Sequence, residues 1–329
     1  MREKPPDLGD GELAQCLAAN WGFRAGSLDY VAIGGGSHHW RAVSGHDTLW
    51  VAVDDLDDKG FLGGDARTTL EGLCAALGTA RAVHDHGLGF VVVPLPSRTG
   101  ELVRPVGSHY AAAVYPFIEG RTYDFYERLP QEVRGQLLKM LAYLHRVSLE
   151  SVPTIRRATT RPSEHHHLER ALADLERPWT AGPLAEPARE ILRRRRPDVA
   201  AVIAEFGQLA DGLEAAGAEL VITHGEPHPA NLMMHGDTLL LIDWDTVALA
   251  PPERDLWWCA SGEPGALAIY EATAQRRTNP EALRLYQLRW PLDDAALFIK
   301  RLRAPHEVDG DTEHALRSLK VTLENLAAH

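Results

Sequence analysis

Val221-Ile-Thr-His224-Gly225-Glu226-Pro-His228-Pro-Ala-Asn231-Leu-Met-Met234, followed by Leu239-Leu-Leu-Ile-Asp243-Trp244-Asp245, is the densest constellation of polar groups in a chain of 329 residues. An apolar, strand-like segment ends in His-Gly-Glu. An asparagine follows five residues after the glutamate, and twelve further on a second apolar segment ends in an aspartate. A hairpin of these two segments would bring Glu226, Asn231 and Asp243 to one point. One carboxylate there can accept a proton, while an amide oxygen and a second carboxylate suit a hard cation such as Mg2+. That is the equipment of phosphoryl transfer, in which positioning and charge neutralisation do most of the catalysis.

Upstream, GELAQCLAANWGF (11–23) has a helical period, and LDYVAI (28–33), Trp40–Val43 and Leu49–Val53 are strand-like. The cluster Gly34-Gly35-Gly36-Ser37-His38-His39 joins the first two strands, and the acidic turn DDLDDKG (54–60) follows the third. Strand, glycine loop, strand is a meander, whereas the Rossmann and P-loop arrangements need a strand running into a helix. A helix is expected over Ala66–His86, and strands over GFVVVPLP (89–96) and YAAAVYPF (110–117). Beyond Pro116 the texture is helical: VRGQLLKMLAYLHRVS (133–148), helices broken by Pro178, Pro183, Pro187 and Pro197, and helices again from Asp255. Short strands are expected at Leu220–Thr223 and Thr238–Ile242. The organisation is a small, mostly β lobe over residues 1–115 and a larger, mostly helical lobe over 116–329.

Thirty-four Lys and Arg against 46 Asp and Glu give a net charge of −12, which argues against a nucleic-acid partner. Arg193–Arg196 reads as a salt-bridged helix face, and the consecutive His165, His166 and His167 diverge around a helix, so they cannot share one metal. Three scattered cysteines suggest no disulfide framework. No signal-peptide core opens the chain and no apolar run reaches membrane-spanning length. A cytoplasmic protein without membrane contact is expected, as monomer or homodimer.

HGEPHPAN (224–231), LLLIDWD (239–245) and Arg254-Asp255-Leu256 together resemble the aminoglycoside phosphotransferase family of the protein-kinase-like fold. Its signature is His-Gly-Asp, four residues, Asn, then an Ile-Asp strand end. The resemblance implies an α+β, two-lobed fold with a small antiparallel β N-lobe and a larger helical C-lobe. It implies ATP or GTP with Mg2+ as cofactors, Glu226 as catalytic base, Asn231 and Asp243 as metal ligands, and Asp255 and His224 as props of the catalytic loop. Backbone groups of Pro116, Phe117 and Ile118 would meet the nucleobase, and the loop of Gly35, Gly36, Ser37 and His38 the phosphates.

The sequence departs from that pattern twice. Glu226 stands where the family has aspartate. Val51-Ala52-Val53-Asp54 ends in a carboxylate where kinases carry a phosphate-binding lysine, so either another cation substitutes, Lys59 and Arg41 being the nearest candidates and Glu71 a candidate partner, or nucleotide binding is weak. Only eleven residues separate Asp243 from Asp255, too few for a peptide-supporting activation loop. The acceptor is therefore expected to be a hydroxyl of a small molecule, foremost an aminoglycoside-type or other cationic antibiotic. The alternatives are an amino alcohol or sugar metabolite, or a kinase-like binding protein that has lost catalysis. Asp245, Glu253, Trp257, Trp258, Glu263, Trp290, Asp293 and Asp294 are the acceptor-side candidates, because carboxylates pair ammonium groups and indole faces favour cations and sugar rings.

Overall fold

Period-two alternation gives the N-terminal strands one apolar and one mixed face, and the computed structural model places the two faces accordingly. It describes residues 3–125, 127–152, 154–162, 164–260 and 265–326. After α1 (Asp10–Asn20), β1 (Ser27–Val31), β2 (His38–Ser44) and β3 (Asp47–Asp55) form the expected meander. α2 (Ala66–Asp85), capped by Asp65 accepting the Thr68 N–H at 2.7 Å, leads to β4 (Val103–Val106) and β5 (Tyr110–Pro116). The sheet is antiparallel, in the order β1-β2-β3-β5-β4.

Trp40 pairs with Val51, Val51 with Val114 and Val53 with Ala112 on the face that buries Leu13 and Leu17 of α1. Each such side chain stabilises by about 1.5–3 kcal/mol when fully buried, which fixes the register. The opposite face then carries His39, Arg41, Trp50, Ala52, Asp54 and Tyr115.

Residues 89–96 do not form the expected strand. Pro94 and Pro96 lack N–H donors, and the segment instead ties to the 239–245 stretch through Val92 N–H to Leu241 C=O (3.1 Å) and Leu241 N–H to Phe90 C=O (2.8 Å). β4 takes the sheet edge, where Pro105 costs no ladder bond.

β6 (Arg121–Thr122) and α3 (Gln131–Leu144) precede α4 (His165–Ala173), α5 (Ala185–Arg194) and α6 (Arg196–Ala216). Pro187 and Pro197 open helices instead of breaking them, because first-turn N–H groups have no intrahelical acceptor to lose. β7 (Val221–Thr223), β8 (Leu232–His235), β9 (Thr238–Leu241) and β10 (Ala248–Ala250) follow, then α7 (Glu253–Ala260), α8 (Ala268–Ala274), α9 (Pro280–Arg303) and α10 (Gly310–Leu326). β7 and β9 do not pair with each other as expected. β8 and β9 make the hairpin across the two-residue turn Gly236-Asp237, and β7 pairs with β10.

The chain divides into two compact units, Met1–Ala158 with Glu219–Thr278, and Thr159–Ala218 with Asn279–His329. In the second unit the arginine run is salt-bridged: Arg193 and Arg194 to Glu190, Arg195 to Asp198 and Arg196 to Glu176. Among the described residues no helix is long and apolar enough to cross a membrane, and Cys16, Cys74 and Cys259 are free thiols.

Candidate active site

The loop after β7 is held by its backbone. Asp255, fully buried at the start of α7, accepts the N–H of His224 at Oδ2 (2.8 Å) and of Gly225 at Oδ1 (2.7 Å), and His145 Nε2 lies 3.0 Å from the same Oδ2. Burial pulls the Asp255 pKa upward, but the His145 hydrogen bond and charge hold it below the ordinary carboxylate value. Gly225 has φ +105°, and a Cβ there would lie 2.4 Å from the Arg254 guanidinium, so the position needs glycine. His224 accepts the Glu226 N–H at Nδ1 (3.2 Å), which leaves Nε2–H to donate to the Ile242 carbonyl (3.0 Å). Burial pushes its pKa down to about 4, consistent with that neutral tautomer. The ring thereby ties the base-bearing loop to the end of β9.

Asn231 is 6% exposed. Its amide nitrogen donates to the Glu226 carbonyl (2.9 Å), its own carbonyl accepts the Ile242 N–H (3.0 Å), and its side-chain oxygen is thus turned from the loop. Glu226, one third exposed, presents its carboxylate to solvent beside His228. Asp243 adopts φ +67°, a left-handed conformation that aspartate tolerates better than most residues. It is open to solvent yet densely surrounded by protein. That desolvation, then the neighbouring Asp245, pushes its pKa up to about 7 against the opposing pull of Lys59.

The missing strand lysine is answered from the next turn. Lys59, 3% exposed, places Nζ 2.8 Å from Asp54 Oδ1, in a shorter contact with Asp245 Oδ2, and 3.4 Å from Ser37 Oγ. Ser37 Oγ also donates to Asp54 (2.6 Å). Burial alone would depress the lysine pKa, but Asp245 and Asp54 overcome it and hold the ammonium charged. Tyr115, on the same sheet face, has its phenol pKa raised by burial and by Asp54, Asp243 and Asp245. Arg41 is not the substitute: it pairs across from Trp50, four residues or about 13 Å along the strand from Asp54, and packs over the Phe117 ring at 5.6 Å. Glu71 faces outward and binds Arg67 (2.6 Å).

Three carboxylates, Asp54, Asp243 and Asp245, thus surround one ammonium, a cluster short of positive charge. Among the described residues no group of three or more His, Cys, Asp and Glu is arranged to hold a metal by itself. Two hard oxygens, from Asn231 and Asp243, nevertheless suit a Mg2+ that keeps several waters and takes its other ligands from phosphate. The donor chemistry therefore fits the ion.

A model of the phosphotransferase enzyme family matches residues 65–287. This chain belongs to that family. Protein StrN of Streptomyces griseus is 28% identical to this family member over 297 residues, 87% of this chain and 83% of its own length. A crystal structure of spectinomycin phosphotransferase in complex with ADP and spectinomycin covers 98% of both chains at 17% identity, with a TM-score of 0.75. A choline kinase from Streptococcus pneumoniae covers 97% of this chain and 99% of its own at 14% identity, with a TM-score of 0.58. The structural likenesses show the fold, which is α+β and protein-kinase-like.

Against this family background the expected site residues fall into three groups. Glu226 and Asn231 share the loop after β7, Asn231 bonds to Ile242 next to Asp243, and Lys59 sits among Asp54, Asp245 and Ser37 within reach of the Asp243 charge. Asp245 binds Lys59. Gly36 lies near the same ammonium, its Cβ position 3.9 Å from Lys59 Nζ. Gly35 is exposed in the same loop, and Pro116, Phe117 and Ile118 leave the end of β5. His38 does not face the loop. As a residue two before Trp40 it shares the core face, with Nδ1 3.1 Å from the Tyr30 hydroxyl, and it is His39 that shares a face with Asp54.

Trp257 and Trp258 pack against each other at 5.0 Å. Trp258 lies 5.3 Å from Phe125 and 6.1 Å from His228, and Phe125 lies 4.6 Å from His228. Phe125 and His228, missed in the sequence, thus join the indoles to Glu226. His228 alone carried a signal, its place between base and asparagine. Trp290, Asp293 and Asp294 lie on α9 in the second unit, where Asp293 binds His165 (2.6 Å) and Arg289 (3.2 Å). Glu253 is buried, and Glu263 lies outside the described residues.

Proposed function

We propose that the chain is an ATP- and Mg2+-dependent kinase that transfers the γ-phosphoryl group to a hydroxyl of a small molecule, an aminoglycoside-type or other cationic antibiotic being the acceptor its chemistry favours. The observation that carries this reading is the bonding of Asn231 to the Glu226 carbonyl and to Ile242, the neighbour of Asp243, in a loop fixed by Asp255. Glu226 orients the acceptor hydroxyl and takes its proton as the oxygen attacks. Lys59 Nζ and the N–H groups of Gly35, Gly36 and Ser37 hold phosphate oxygens, while backbone groups of Pro116, Phe117 and Ile118 meet the base. Asn231 and Asp243 would hold Mg2+, which when bound supplies positive charge to the phosphate oxygens.

Asp54 does not argue for a catalytically impaired relative, since Lys59 neutralises it. The rings of Phe125, Trp257 and Trp258 beside Glu226 suit a cationic or saturated-ring acceptor. The same rings favour a second reading, an amino alcohol acceptor. A nucleotide-consumption screen over aminoglycosides, spectinomycin, choline and neutral sugars separates the two. With whichever acceptor turns over, Glu226→Gln lowers kcat by about 10²–10⁴ with the circular dichroism spectrum unchanged. Turnover retained by that variant would sink the assignment.

A further inference from the structure

An amide side chain has two ends of nearly equal shape, and its hydrogen-bond partners decide which way it faces. Asn231 Nδ2 lies 2.9 Å from the Glu226 carbonyl and 3.3 Å from His228 Nε2. Both hydrogens of the NH2 group are used if the imidazole offers a lone pair, which makes His228 the Nδ1–H tautomer. Flipping the amide would set its oxygen against the Glu226 carbonyl and, in that tautomer, against Nε2 as well. The imidazole packs against the rings of Phe125 (4.6 Å) and Trp258 (6.1 Å), and both His228 and Asn231 are buried, so water is a poor substitute acceptor.

We propose that His228 is a positioning residue that sets the Asn231 amide so that its oxygen, and not its nitrogen, faces the metal position. This rests on the reading of Asn231 as a Mg2+ ligand. Groups that orient a metal ligand are worth about 10–100-fold in metal affinity. In the same tautomer His228 Nε2, 4.0 Å from Glu226 Oε2, carries no proton to give the carboxylate, which keeps that oxygen able to accept one from substrate.

The test is ADP binding by isothermal calorimetry across a Mg2+ series, with the full chain. His228→Phe keeps a ring against Phe125 and Trp258 but has no acceptor, and needs about tenfold more Mg2+ for half-maximal ADP binding. His228→Gln places an amide oxygen near the Nε2 position and stays within about twofold of wild type, by the same reasoning. ADP binding without Mg2+ is unchanged in both. A wild-type Mg2+ requirement in His228→Phe overturns the proposal, and so does an equal defect in His228→Gln. If His228→Phe does not fold, the contrast moves to His228→Asn, whose shorter amide reaches the Nδ1 position. Equal Mg2+ requirements in His228→Asn and His228→Gln then overturn it. Asn231→Ala separates the two levels: an unchanged Mg2+ requirement there removes the ligand reading itself, whereas a silent His228→Phe beside a defective Asn231→Ala removes only the positioning role.

Discussion

Asp255 and Asp243 are carboxylates of one site, and their surroundings are opposites. Asp255 is buried but saturated, with two backbone N–H groups and an imidazole around it. Asp243 is open to solvent yet crowded by Asp54 and Asp245, with Lys59 as their shared cation. The Asp255 region is electrostatically complete without a ligand and serves as scaffold. The Asp243 region lacks positive charge and is built to receive it. Environments that push two carboxylate pKa values apart mark a division of labour, here between holding the loop and, on the proposed reading, binding the metal.

The hardest way to break that contrast is Asp255→Ala. It leaves the N–H groups of His224 and Gly225 without their acceptor inside the protein. Each such group costs about 1–3 kcal/mol, so urea unfolding should show about 2–6 kcal/mol of destabilisation, and phosphorylation should disappear with the loop geometry. A loss below about 1 kcal/mol would mean that something else fixes the loop.

Next comes Lys59→Met, which removes the built-in cation and leaves Asp54 and Asp245 to repel the phosphates. The KM for ATP should rise about 10–100-fold, or about 1.4–2.7 kcal/mol. Neutralising one of the repelling carboxylates, in Lys59→Met/Asp54→Asn, should recover part of it. Glu71→Gln serves as control and stays within about twofold of wild type, because the exposed Arg67–Glu71 pair is worth little. An unchanged KM in Lys59→Met would return the phosphate contact to the loop N–H groups alone.

The same contrast explains what was legible in the sequence. Positions tied to fixed offsets along the backbone were readable: His224, Gly225, Glu226 and Asn231 share one loop, and bonds from His224 and Asn231 to Ile242 bring in the neighbour of Asp243. The Lys59–Asp54 pair depends on a long side chain folding back over a turn, which spacing narrows to two candidates, Lys59 and Arg41, without deciding between them. Distance along the sheet sets Arg41 apart, since it shares the face but pairs four residues from Asp54, and alternation moves the place of His38 to His39 because Trp40 must point into the core. The contact of Phe125 with His228 joins residues far apart in the chain and had no local signal. β4 was hidden by Pro105, which looks like a strand breaker until the strand is known to lie at an edge.

The smallest expected effect tests the charge deficit itself. In metal-free protein the folded Asp243 carboxyl titrates at about 7, above its ordinary value of 3.8. Between those pH values the folded chain keeps a proton that the unfolded chain has released, so the contribution of Asp243 is fully present below pH 3.8 and is lost as pH rises towards 7. Asp294, pushed up to about 7 by burial and Asp293, slopes the same way, so the informative quantity is a difference between proteins. The melting temperature of wild type, measured in EDTA, should fall relative to that of Asp243→Asn as pH rises from about 4 to 7; asparagine also tolerates the left-handed backbone at this position. Adding Mg2+ and ADP supplies the missing positive charge and should flatten the difference. A wild-type-minus-variant gap that stays constant across this pH range, with or without Mg2+ and ADP, would show that the crowded carboxylates are already neutralised, and the distinction between scaffold and receiver would fail at its receiving end.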